Sequence, residues 1–244
     1  MTTYFLALFL AVGAGAPASG SPSTSHGPPA VLSTAPKAVG PAVEKPDLRT
    51  ILARMQKRYD QARDFRARFS QNYRRAVVGR ATLSTGTLVF KKPGRMRWDY
   101  DKPEARMFLS NGHVLWLYEP EEKQAFKQDL KSSQLPAALA FLMGKGKITD
   151  EFDVSFAKDL SETRPGDYRL ALSPKKPQSA YKSITFVVDP KEYLVRESVL
   201  VDSQGNTNHF VFDDPRVNTK VSDSVFKWTP PAGVRVVDTN RMNK

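Results

Sequence analysis

The 244-residue chain has no cysteine and only three histidines. The first absence excludes disulfide frameworks, zinc-thiolate centres, cysteine nucleophiles and lipidation on cysteine. The histidines, His26, His113 and His209, are far apart in the chain. None accompanies a G-x-S-x-G nucleophile motif or a metal-ligand spacing. Gly144-Lys145-Gly146-Lys147 lacks the preceding glycine spacing and the Ser/Thr of a phosphate loop. No catalytic residue, metal site or cofactor is expected.

Long apolar runs are also scarce. The run Tyr4–Val12 is followed by small residues, and Ala16-Pro17-Ala18 offers a cleavage site of the A-x-A kind. Residues 1–18 therefore read as a secretory signal peptide, too short to span a bilayer comfortably. Residues 19–46 are rich in Pro, Ser, Ala and Gly, with few large side chains to offset ordering entropy, and read as a flexible linker. The folded domain is expected over 47–244. The formal charge is +12, with Lys and Arg dispersed in short doublets such as Arg74-Arg75, Lys91-Lys92 and Lys175-Lys176. Dispersed charge on alternate strand positions reads first as a solvated outer face; an electrostatic preference for membrane surfaces or acidic partners is the alternative reading, and nucleic acid is the least favoured.

What is abundant is alternation. Between Gly86 and Tyr118, bulky apolar residues recur at every second position: Leu88 and Phe90, then Met96, Trp98 and Tyr100, then Val114, Trp116 and Tyr118. Such spacing predicts strands with one buried face. Pro93-Gly94, Asp101-Lys102-Pro103 and Asn111-Gly112 supply the turns between them. Upstream, Phe65, Ala67, Phe69, Gln71 and Tyr73 share one side of a strand. Downstream, alternation returns in Phe152-Val154-Phe156, Tyr168-Leu170-Leu172, Ile184-Phe186-Val188, Tyr193-Val195 through Val201, and Phe210-Phe212.

Two helices interrupt this pattern. Asp47 is placed to cap a helix over 47–61 with one apolar stripe, Leu48, Ile51, Leu52, Met55 and Tyr59. Leu135, Ala138, Leu139, Leu142 and Met143 predict a short second helix over 133–143, with Pro136 in its first turn and Gly144 as its stop. About ten or eleven short strands without βαβ alternation predict a mainly β (α+β) fold: an incompletely closed antiparallel β-barrel with a helical lid.

Four segments in register give this pattern a family likeness. They are Phe65-x-Ala67-x-Phe69-x-Gln71; Gly86-x-Leu88-x-Phe90-Lys91-Lys92-Pro93-Gly94-Arg95-Met96-Arg97-Trp98-x-Tyr100-x-x-Pro103; Asn111-Gly112-x-x-x-Trp116-x-Tyr118; and Phe226-x-Trp228-x-Pro230-Pro231-x-Gly233-Val234. Over roughly 47–238 the chain resembles the LolA family of periplasmic outer-membrane lipoprotein carriers. The resemblance implies a monomeric periplasmic chaperone. It would take acylated lipoproteins from an inner-membrane ABC release complex to an outer-membrane acceptor, without a cofactor. It implies a lipid-binding cavity walled by Phe69, Leu88, Phe90, Met96, Trp98, Trp116 and Leu139. It also implies a lid latch at Lys92, where the best-known members carry Arg; Lys lacks the planar fork that bridges several carbonyls at once. Two other functions fit the same fold: an envelope-stress sensor domain, and a carrier of free lipids or glycolipids.

Overall fold

The computed structural model describes residues 46–77, 79–130, 141–142, 146–158, 164–177 and 181–241. The expected signal peptide, nearly all of the linker and most of the helix expected over 133–143, Leu139 included, lie outside them. Phe141 and Leu142, at that helix's end, are helical.

The first element is α1 (Leu48–Gln61). Asp47 caps it, its carboxylate accepting from the Thr50 N–H at 2.7 Å. The expected stripe is the buried one: Ile51, Met55 and Tyr59 are enclosed, with Leu48 and Leu52 packed against the same core. Twelve strands follow: β1 (Asp64–Arg74), β2 (Ala81–Lys91), β3 (Arg95–Lys102), β4 (Arg106–Asn111), β5 (Val114–Glu119), β6 (Gln124–Asp129), β7 (Phe152–Phe156), β8 (Tyr168–Pro174), β9 (Ser183–Val188), β10 (Val195–Val201), β11 (Thr207–Val217) and β12 (Arg235–Asp238). A helical turn, Ile148–Glu151, precedes β7.

All twelve strands form one sheet in the order β12-β6-β5-β4-β3-β2-β1-β11-β10-β9-β8-β7, with β12 and β7 left as edges. Every pairing is antiparallel except β12 on β6. The incompletely closed β-barrel expected from the sequence is therefore present, with the short parallel β12 as its twelfth strand. Two meanders, β2–β6 and β7–β10, are joined through β1 and β11.

The sheet curls tightly. Trp98 on β3 and Phe210 on β11 are separated by β2 and β1, three strand spacings of about 4.8 Å, or roughly 14 Å in a flat sheet. Their ring centroids are 5.4 Å apart. Gly86 makes this bend possible. It pairs with Phe69 across β1–β2, and the register slips between Thr85 and Gly86. A Cβ at Gly86 would run into the Asp99 carbonyl oxygen and lie 2.9 Å from the Phe69 ring. With no side chain there, Phe69 crosses β2 to reach Trp98 at 5.1 Å and Tyr100 at 4.9 Å.

The outer face of β3–β5 is covered as well. A 3-10 turn, Asp223–Phe226, buries Phe226 against it. Basic residues on outward positions hold the segment down. Lys91 and Arg95 pair with Asp223, and Arg97 donates from Nη1 to the Val225 carbonyl at 3.1 Å. Part of the dispersed positive charge thus works as an internal clamp. The same cover explains why β4 is buried on both faces, Met107 and Leu109 outward and Phe108 inward.

Candidate functional site

The inner face is built from cross-strand rows. One runs Ala67–Leu88–Trp98–Phe108–Leu117–Phe126 across β1 to β6, and beside it runs Phe65–Phe90–Met96–Ser110–Leu115. Of the residues expected to wall a cavity, Phe69, Leu88, Phe90, Met96 and Trp98 all lie on this face and are buried. The fold brings them into one cluster with the stripe of α1. Phe210, which meets Phe69 at a tilt and Trp98 edge-on, belongs to the same wall. Its alternation with Phe212 is visible in the sequence, but only the β1–β11 pairing brings it here.

Trp116 does not join them, and the expectation for it is corrected. On β5 it is Leu115 and Leu117 that face inward. Trp116 pairs with Leu109 on the outer face, 5.2 Å from the Trp228 ring, and Tyr118 lies 5.1 Å from that ring on the same side. The physical reason is that Val114-Leu115-Trp116-Leu117-Tyr118 is apolar at every position. With both faces of the strand covered, alternation fixes no phase, and residue size points to the wrong one. Leu139 lies outside the described residues.

Lys92 lies in the turn between β2 and β3. Its Nζ donates to the carbonyl oxygens of Tyr59, at 2.8 Å, and Asp60, at 3.0 Å. These carbonyls belong to the last turn of α1, where the Tyr59 oxygen also accepts from the Ala62 N–H at 3.3 Å, and an ammonium there meets the negative end of the helix dipole. Tyr59 ties the same turn to the other half of the sheet. Its hydroxyl accepts from the Val195 N–H at 3.0 Å and its ring lies 4.8 Å from Phe141. Burial pushes the Tyr59 phenol well above its ordinary range, so it stays a neutral hydroxyl.

A third attachment comes from the turn between β9 and β10. The Asp189 carboxylate accepts from the N–H groups of Lys191 and Glu192, at 2.7 and 2.8 Å. This shapes the turn so that Tyr193 and Glu192 reach the helix. Arg54 donates to the Tyr193 hydroxyl at 2.7 Å, and Arg58 pairs with Glu192 at 2.5 Å. Tyr193 is a turn residue with φ of 55°, not the start of a strand as its alternation with Val195 suggests. Sequence reasoning missed this turn as an attachment point, because a charge pair between distant segments leaves no local pattern.

The described residues under α1 pack closely against its apolar stripe. Where the end of the helix meets β1 and β2, a crevice of about 10 Å³ is lined by Tyr59, Phe65, Phe90, Lys92 and Leu142 among others. That is room for about one water molecule. Anything larger does not fit this crevice as it stands. The arrangement offers an apolar wall, a helical cover, and polar fastenings at the rim and through the buried Tyr59 hydroxyl.

A curled, open sheet folded over an apolar interior and covered by a fastened helix defines a class of half-barrels. Residues 60–229 match the family model described as Outer membrane lipoprotein carrier protein LolA, and the chain belongs to that family. Similar chains include the outer-membrane lipoprotein carrier protein of Pseudomonas entomophila, 30% identical over 189 residues, 76% of this chain and 87% of that one. The protein of the same description from Chromobacterium violaceum is 30% identical over 160 residues, 65% of this chain and 74% of the other. Among solved structures, an uncharacterized conserved protein from Thermus thermophilus superposes with a TM-score of 0.50 at 13% identity. It covers 78% of this chain and 98% of that one, which is a likeness of fold alone.

Proposed function

We propose that the protein is a periplasmic chaperone that carries acylated lipoproteins from an inner-membrane ABC release complex to an outer-membrane acceptor. Their acyl chains would lie inside the curled sheet, beneath α1. The observation that carries this reading is an aromatic inner wall covered by a helix whose last turn is fastened by Lys92, in a chain of the LolA family. Phe69, Leu88, Phe90, Met96 and Trp98 would touch the chains, and Lys92 would hold the lid shut until cargo arrives.

Energetics explains why such a carrier is fastened at its rim and packed inside. Burying an acyl chain contributes about 0.8 kcal/mol per methylene, so a chain of about fifteen is worth roughly 12 kcal/mol. A membrane offers the same gain. The carrier therefore depends on an energised donor and must hold cargo less firmly than its acceptor. The contacts between the stripe of α1 and the inner wall would supply part of that difference, because cargo has to displace them to enter.

The test is to isolate the protein from native periplasm and identify what co-purifies by mass spectrometry. Triacylated lipoprotein is the expected ligand. Free phospholipid or glycolipid would replace the lipoprotein with a lipid cargo. Absence of any lipid, together with no signal from a hydrophobic dye, would refute an acyl-binding interior.

A further inference from the structure

Among the described residues, Arg106 is the one charged side chain buried on the inner face of the sheet, and the sealing of the lid does not use it. Arg106 opens β4 and pairs with Tyr100 at the end of β3. It points inward on the same side as Phe108, and it is only 7% exposed. Its guanidinium lies over the Tyr100 ring, 5.0 Å from the centroid. Among the described residues neither its Nε nor its Nη2 has a hydrogen-bond acceptor. Those two atoms form one edge of the guanidinium fork, the edge that meets two oxygens side by side.

An arginine kept charged in an apolar interior with its bidentate edge unmatched is costly. Its position is informative. Tyr100 and Arg106 sit four residues along β3 from Met96, about 14 Å, at the end of the interior remote from the Lys92 turn. The nearby charges are Glu104 and Glu119, both close enough to favour the guanidinium. An added full negative charge would face those carboxylates, whereas neutral carbonyl oxygens would not.

We propose that the Nε/Nη2 edge of Arg106 receives the ester carbonyl oxygens at the polar end of acylated cargo, fixing which way the chains lie in the interior. The proposal rests on the acyl-carrier reading. Ester carbonyls occur both in the diacylglyceryl anchor of a lipoprotein and in free diacylglycerol, and Arg106 recognises the group they share.

The experiment compares a triacylated lipopeptide and a diacylglycerol, each with its ether-linked counterpart, as competitors of a fluorescent alkyl probe that has no carbonyl. Wild-type protein is expected to bind esters roughly tenfold more tightly than ethers, the order of one charge-assisted hydrogen bond. In Arg106→Met that ratio falls to about one, while the alkyl probe binds as before. Arg106→Lys keeps the charge without the fork and should lose most of the preference; it also serves if the methionine variant misfolds. An ester preference confined to the lipopeptides identifies the anchor as source, and one shared by diacylglycerol identifies free lipid; either supports the assignment. A wild-type ratio of one, a ratio unchanged in both variants, or tighter binding of a fatty-acid carboxylate than of its ester overturns it and leaves the carrier reading intact. Failure of the wild-type protein to bind even the alkyl probe removes the carrier reading, and this proposal with it.

Discussion

Replacing Lys92 with methionine keeps the length and apolar stem of the side chain and removes the ammonium that meets the Tyr59 and Asp60 carbonyls at 2.8 and 3.0 Å. Hydrogen bonds from a charged donor contribute about 1.5–3 kcal/mol each when desolvated. These two lie at a partly solvated rim, and the charge–dipole contribution there is about 0.3–1 kcal/mol. A combined loss of about 2 kcal/mol is reasonable, which is roughly a 30-fold shift towards the open lid. Native-state hydrogen exchange reads that shift directly, because amides of α1 exchange through lid opening while those of β1 and β2 require the sheet to unfold. Exchange in α1 should therefore accelerate roughly 30-fold in Lys92→Met while amides of Phe69 and Leu88 keep their protection. The apparent affinity for acyl chains should rise by up to the same factor, since less of the protein is held in the closed state. Lys92→Arg should retain protection, its fork supplying further donors to the same carbonyls. Unchanged exchange in α1, or equal acceleration in helix and sheet, would refute the latch.

Gly86→Val places a branched side chain against the Asp99 carbonyl and the Phe69 ring; a loss of about 3 kcal/mol is expected in urea denaturation, and wild-type stability would disprove the role of Gly86 in the bend. Trp116→Ala removes an outer-face contact with Trp228 and should cost about 2 kcal/mol with acyl binding unaltered, whereas Trp98→Ala should weaken binding; equal losses of binding would restore Trp116 to the interior. Burial opposes ionisation of Asp189, yet the N–H groups of Glu192 and Lys191, with the Arg196 guanidinium, hold its carboxyl below the ordinary value of 3.8. A carboxyl depressed in the folded state contributes stability above 3.8 that disappears as pH falls through its lower folded value, so acid should loosen the 189–194 turn and the docking of Arg54 and Arg58. Asp189→Asn should flatten that acid limb in a pH series of thermal midpoints; an identical limb in both proteins would contradict the assignment.

The parts of this molecule that sequence reveals are those whose physics is local. The stripe of α1 and the phase of β1, β2 and β3 follow from residue spacing, because each sets large apolar residues on one face against mostly polar or charged ones on the other. β5 fails that condition, since it is apolar on both faces and Trp228 covers the second, and spacing misplaces Trp116 for that reason. β6, Gln124-Ala-Phe-Lys-Gln-Asp129, and the four-residue β12 carry no alternation; pairing alone makes them strands. In β10 the register slips between Val195 and Glu197, so Val195 faces inward but Val199 does not, and Ser198 and Leu200 take the inner positions instead. Lys92 stands out by likeness to a family, not by its own chemistry; what the sequence could not supply is that its partners are two backbone carbonyls. Arg106 leaves no mark at all, because a lone arginine in a strand is ordinary until its surroundings are known.

The strand order has a consequence for how the protein is made. β1 is the first strand of the chain, yet it sits mid-sheet with β2 on one side and β11 on the other. A chain emerging amino-terminus first can zip β1 to β6 as local hairpins and later do the same for β7 to β10. One side of β1, with Phe65 and Phe69 beside it, stays without a partner until Thr207–Val217 has appeared. Tyr59 likewise lacks the Val195 amide. Closure along β1–β11 is thus the late, long-range event, intrinsically slow and exposed to mispairing while it waits. The proposed periplasmic role would have the polypeptide cross a membrane before folding, and for such a chain that delay would be an advantage: the seam that locks the structure cannot form until almost the whole domain has passed through.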